Sequence, residues 1–142
     1  MTYLAIDYGK ARIGLAIAKE PYILAVPYKT VQNSENSGNE IADIIRKEKV
    51  KKLIIGKPVS LKGHDEQAVG DTKLWIEKSL IPAISGQSNS IPEIVFADER
   101  LTTANAKKKL LDLQTKKGKK SRKNDKEIID QMAAVEILNS VL

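Results

Sequence analysis

Three places in this 142-residue chain set a carboxylate where an apolar run ends or packs. Asp7 ends the run Tyr3-Leu-Ala-Ile-Asp7, and Asp98 and Glu99 follow Ile94-Val-Phe-Ala97. Asp130 shares one helical stripe with Ala133, Ala134, Ile137, Leu138 and Val141, a spacing that gives one face of a helix. A carboxylate on such a stripe is costly unless something pairs with it. Carboxylates gathered together repel one another, and a divalent cation relieves the repulsion. Oxygen-only ligands suit Mg²⁺ or Mn²⁺. Such ions activate water and stabilise the leaving oxygen in phosphodiester cleavage. Each acid also has a plainer reading: Asp7 as a turn former, Asp130 as half of a salt bridge or as an N-terminal helix charge.

Arginines flank the acids. Arg12 follows Asp7 by five residues and Arg100 follows Glu99 directly. A guanidinium grips a phosphate bidentately, so both are candidate substrate contacts, against the alternative of ion pairs with the neighbouring acids. Lys116, Lys117, Lys119, Lys120, Arg122 and Lys123 surround Gly118 in a basic loop. Residues 105–127 carry 10 of the 24 Lys+Arg and only 3 of the 18 Asp+Glu. The chain's +6 net charge therefore sits in this one segment, which points to a polyanion partner. The rival reading is a solvated loop.

Composition excludes other chemistries. Without cysteine there is no disulfide, thiolate metal site or cysteine nucleophile. The single histidine, His64, rules out a multi-histidine zinc site within the chain. His64 reads as an exposed loop residue, with a proton shuttle as the alternative. Gly56-Lys-Pro58 lacks the spacing of a P-loop. No apolar run reaches the roughly 20 residues of a membrane span, and the N-terminus has no signal pattern. The expectation is a cytoplasmic protein without membrane association, built as one domain over residues 1–142.

The elements that must position these residues read as follows. Alternation predicts a hairpin over residues 3–18, with Asp7, Gly9 and Arg12 at its turn. A third strand over 25–31 contains Pro27 and is therefore an edge or bulged strand. A helix over 40–50 follows a polar loop, then a buried strand over 52–55 that Gly56 and Pro58 stop. Residues 59–66 read as a loop. A long helix with Trp75 in the core runs to about Leu80 and ends at Pro82. The fifth strand spans 94–97, a helix runs from Thr102 or Thr103 to Leu113, and the last helix starts at Asn124 or Asp125. The order βββαβαβαα predicts an α/β fold with a mixed five-stranded sheet flanked by helices.

Four motifs occur in order: Asp7-Tyr-Gly9 with Arg12-Ile-Gly14; Gly56-Lys-Pro58 with Gly63; Asp98-Glu-Arg-Leu-Thr-Thr103; and Asp130-Gln-Met-Ala-Ala134 with Ile137-Leu138. Together they resemble the YqgF family, also called RuvX, over nearly the whole chain. The resemblance implies an RNase H-like fold and a metal-dependent nuclease that processes the 5′ end of pre-16S ribosomal RNA. It carries the functional acids, as metal ligands and catalytic groups, onto Asp7, Glu99 and Asp130. Adjacent strand residues face opposite ways, so one of Asp98 and Glu99 serves the metal; the resemblance favours Glu99, leaving Asp98 to hold Arg100 or cap the next helix. The implied partners are pre-rRNA and ribosomal precursor particles, with the chain a monomer or weak homodimer. Branched DNA is the alternative substrate, and a nucleic-acid-binding factor that does not cleave is the alternative of another class.

Overall fold

A computed structural model of the chain describes residues 1–57, 59–60, 63–64, 66–87, 90–98 and 123–142. The alternating apolar residues at the N-terminus form β1 (Thr2–Asp7) and β2 (Arg12–Lys19), followed by β3 (Tyr22–Gln32), α1 (Ser37–Glu48) and β4 (Val50–Lys57). A short ribbon, β5 (Val59–Ser60) and β6 (Gly63–His64), precedes α2 (Glu66–Trp75). A π-helical turn (Ile76–Leu80), α3 (Ile81–Gln87), β7 (Glu93–Asp98) and α4 (Lys123–Asn139) complete the described elements.

Five strands form one sheet in the order β3-β2-β1-β4-β7. The three N-terminal strands pair antiparallel, whereas β1, β4 and β7 run parallel. The sheet's two faces differ in side-chain size. One carries Leu4, Ile6, Leu15, Leu53 and Ile55 beneath Ile41, Ile45, Trp75 and Leu80. Each such fully buried aliphatic side chain contributes about 1.5–3 kcal/mol. The other face carries Ala5, Ala16, Ala18, Ile54 and Ala97 beneath Ala134, Ile137 and Leu138 of α4. Small residues on both sides let α4 lie close to the sheet, and that closeness brings its acid to the strand ends.

Several element boundaries differ from the sequence reading, each for a physical reason. β3 begins at Tyr22, well before Ala25, and is the edge strand that Pro27 requires. The register slips beside Pro27: Leu15 pairs with Lys29 while Ala16 pairs with Pro27, so the strand is bulged as well. α1 starts at Ser37 and ends before Val50, because Lys49 takes a left-handed conformation (φ 54°) whose N–H reaches back to Arg46 and Ile45 carbonyls. Val50 therefore opens β4, which runs through Gly56 instead of stopping there. Residues of the expected 59–66 loop form the β5–β6 ribbon, with Val59 opposite His64. Pro82 does not end the long helix. The π-helical turn before it directs the Ile81 N–H to the Ile76 carbonyl, and such widening re-aims the carbonyls a proline ring would otherwise meet. At the C-terminal helix, Lys123 belongs to α4 and not to the basic loop. Val141 falls beyond α4 and is partly exposed, so the buried stripe ends at Leu138. The helix expected over 102–113 lies outside the described residues.

Candidate active site

The site is assembled around Gly14. In the β1–β2 pairing Asp7 stands opposite Gly14, and in the β2–β3 pairing Thr30 stands opposite Gly14. Directly opposed residues share a face, and here it is the face covered by α4. A Cβ on Gly14 would overlap the backbone carbonyl of Asp130 and lie 3.0 Å from its Cβ. The α4 backbone therefore rests on a glycine, with Asp7 on one side of the contact and Thr30 on the other. Asp7 is 6% exposed and Asp130 is 8% exposed. Two buried carboxylates thus come from distant parts of the chain onto one patch of sheet.

Local sequence explains how each acid is held. Asp7 is the last residue of β1, whose Leu4, Ala5 and Ile6 are fully buried, so its backbone is fixed by the sheet. The turn after it is tight: a Cβ on Gly9 would meet the Arg12 carbonyl oxygen at 2.5 Å. Asn33 braces that turn, its Nδ2 donating to the Gly9 carbonyl at 2.8 Å and its N–H to the Ala11 carbonyl at 3.0 Å. On the other side, Gln131 Nε2 donates to Thr30 Oγ1 at 3.0 Å. The Thr30 hydroxyl in turn donates to the Glu127 carbonyl at 3.0 Å. These two bonds pin the first turns of α4 to the edge strand.

Arg12 opens β2 on the same face, and its Nε donates to Asp130 Oδ2 at 2.8 Å. This is the ion pair that the plainer reading of both residues anticipates. Asp98 closes β7 opposite Lys57. Glu99, Arg100, Lys116, Lys117, Lys119, Lys120 and Arg122 lie outside the described residues. Among the described residues no group of three metal-ligating side chains forms, so the described part of the site is the pair Asp7 and Asp130. The donor chemistry of these two residues fits a hard cation: both are buried carboxylates on the face covered by α4, and Mg²⁺ commonly uses one or two carboxylates with water and substrate phosphate completing its shell.

Sequence reasoning missed Asn33, Thr30, Gln131 and the structural demand on Gly14. Thr30 and Gly14 are neighbours only through strand register, which a one-dimensional pattern does not carry. A usable signal existed for Gln131, a polar residue directly after the acid on a half-buried helix. Trp75 is core: it stacks obliquely on Tyr8 with centroids 5.1 Å apart and donates from Nε1 to Ser37 Oγ at 3.0 Å. Beside Tyr8, on the opposite face of the sheet, an open cleft of about 360 Å³ is bordered by Lys10 and Lys78.

A family model described as "RuvX: Holliday junction resolvase" matches residues 1–142. The chain belongs to the RuvX family. By that description it is a nuclease family. A relative from Sulfurihydrogenibium sp. (strain YO3AOP1) is 38% identical over 142 residues, covering 98% of this chain and 88% of the relative. Another, from Bifidobacterium adolescentis, is 35% identical over 151 residues, covering 100% of this chain and 97% of the relative. Both carry the name "Putative pre-16S rRNA nuclease". Among solved structures, Thermus thermophilus RuvC in complex with a Holliday junction substrate matches with a TM-score of 0.57 at 12% identity, over 99% of this chain and 92% of that one. The fowlpox virus resolvase with Holliday junction DNA matches with a TM-score of 0.52 at 17% identity, over 100% of this chain and 99% of that one. These likenesses establish the fold: it is the RNase H-like fold of the RuvC resolvases, as the motif resemblance implied.

Proposed function

We propose that this chain is a metal-dependent endonuclease that hydrolyses phosphodiester bonds in structured RNA, with 5′-end processing of pre-16S rRNA in the cytoplasm as its role. The observation that carries the reading is the placement of two buried acids at one glycine, Asp7 opposite Gly14 in the strand pairing and the Asp130 backbone against it. A polyanion-binding factor gains nothing from burying acids, so the pair favours chemistry over binding alone. The names of the relatives supply the RNA substrate.

Asp7, Asp130 and Glu99 would hold Mg²⁺ or Mn²⁺. Glu99 is the third acid because the motif resemblance favours it over Asp98. When bound, the ion supplies water activation and stabilises the leaving oxygen. The chain's own part is preorganisation. Asp7 presents its carboxylate from a strand end and Asp130 from a helix pinned at Thr30, so neither has to be ordered during the reaction. Arg12 and Arg100 offer forked donors to a phosphate oxygen. The basic residues Lys116, Lys117, Lys119, Lys120, Arg122 and Lys123 hold the flanking backbone without reading bases.

A second reading, cleavage of branched DNA, is favoured by the description of the matching family model. One experiment compares the two. Purified chain is given Mg²⁺ with either a pre-16S rRNA leader fragment or a four-way DNA junction, and the same mixtures are run with Asp7→Asn. Cleavage of the RNA alone, lost in Asp7→Asn, is the expected result. Junction cleavage in paired symmetrical cuts, with a stable two-fold dimer in solution, assigns the DNA reading instead. Binding without cleavage of either substrate overturns both.

A further inference from the structure

We propose that Arg12 is a stand-in cation that occupies Asp130 and competes with the divalent metal for it. The inference rests on the reading of Asp7 and Asp130 as metal ligands. The Asp130 carboxylate is 12% exposed, and its helix packs through Ala133, Ala134 and Ile137. A charge held there needs a partner, because burial strips its water. Arg12 provides one through a single charge-assisted hydrogen bond, Nε to Oδ2, at 2.8 Å.

The geometry of this pair is provisional in a chemical sense. The Arg12 side chain is 29% exposed and sits at the mouth of the turn, two residues before the buried Gly14. Its contact with Asp130 uses the Nε side of the guanidinium. A structural bridge of arginine to carboxylate commonly uses two parallel bonds; this one uses one. A guanidinium and a divalent ion on the same carboxylate repel each other. Metal binding therefore has to displace Arg12 or bear that repulsion. Once displaced, the guanidinium lies beside the acids with its fork ready for a phosphate oxygen. Arg12 is on this account a positioning residue that offsets the Asp130 charge in metal-free protein and yields when metal arrives.

The test is titration of Mn²⁺ into metal-free protein, followed by calorimetry, with thermal melting in chelator alongside. Arg12→Gln is expected to bind Mn²⁺ on the order of tenfold more tightly than the parent chain, the usual scale of coupling between two ligands. It should also melt at lower temperature in chelator and regain the loss when Mn²⁺ is added. Arg12→Lys, which keeps a charge, should bind Mn²⁺ like the parent. If Arg12→Gln does not fold, Arg12→Met keeps the packing of the stem and carries the same expectation. Mn²⁺ affinity unchanged or weakened in the neutral variants makes Arg12 a plain brace and overturns the proposal. So does a Lys variant that tightens as much as the neutral ones. Asp7→Asn separates this failure from a deeper one: if it binds Mn²⁺ as the parent does, the acids are not the metal site at all.

Discussion

Gly14 is the residue on which the candidate site depends most and which carries no chemistry of its own. Its missing side chain is filled by the Asp130 backbone. Gly14→Ala is expected to push α4 off the sheet, at a cost of about 1–3 kcal/mol for overpacking. Cleavage should fall by far more than stability does, because a shift near 1 Å at a reacting group costs about a hundredfold. Thermal melting and single-turnover cleavage on the same protein check both parts. Asp7→Asn makes the opposite test. It keeps the size of the side chain and removes one charge from a buried pair. The variant should fold with a melting temperature at or above that of the parent, and lose Mg²⁺-dependent cleavage. Full activity in Asp7→Asn returns Asp7 to the role of a turn former.

The elements hold these residues through a few contacts that can be tested one at a time. Thr30 joins β3 to α4 by accepting from Gln131 and donating to the Glu127 carbonyl. Thr30→Val is close in shape and removes both bonds, so a loss of about 1–3 kcal/mol is expected from urea unfolding. At the far end of the sheet, Lys19 Nζ lies 2.7 Å from Glu48 Oε2 and ties β2 to α1. The hydrogen bond from Lys19 holds the Glu48 carboxyl below its usual pKa, against the opposing effect of desolvation. A depressed acid contributes stability above its unfolded pKa and loses it as pH falls through the folded value. Stability should therefore decline below about pH 4.5, and Glu48→Gln should flatten that part of the profile. Much at this scale was legible in the sequence. The opening hairpin, the edge position that Pro27 forces and the acid on the α4 stripe all follow from local pattern. What was not legible depended on backbone conformation or register. Lys49 ends α1 in a left-handed turn that favours glycine, and lysine gives no such signal. The π-helical turn lets the chain pass Pro82, and the Asp7–Gly14–Thr30 row exists only once three strands are paired.

At the scale of the whole molecule the charge is unevenly placed, and the proposed function assigns binding to one part and chemistry to the other. Outside residues 105–127 the chain has a formal charge of −1, and inside them +7. The acids that would hold metal therefore sit in a part of the chain with almost no net charge of its own. Of the six cations in residues 116–123, Lys123 opens α4 and the other five lie outside the described residues, so the expectation for them rests on their charge. Each phosphate they neutralise releases a condensed counterion, giving a slope of about 0.9 per contact on duplex DNA and about 0.7 on single strands. With three of these cations replaced, the plot of log affinity against log salt should flatten by about 2. Contacts to phosphate carry no base information, so matched and unrelated sequences should lose affinity alike. The turnover of bound substrate should change little, since none of the six supplies a ligand to the acid site. The measurement is binding across a salt series for the triple variant Lys116→Gln, Lys119→Gln and Lys123→Gln, with single-turnover cleavage at saturating enzyme. An unchanged slope makes the segment a solvated loop. A large fall in single-turnover rate with affinity intact would mean that the segment positions the scissile phosphate, and that binding and chemistry are not divided as the charge map suggests.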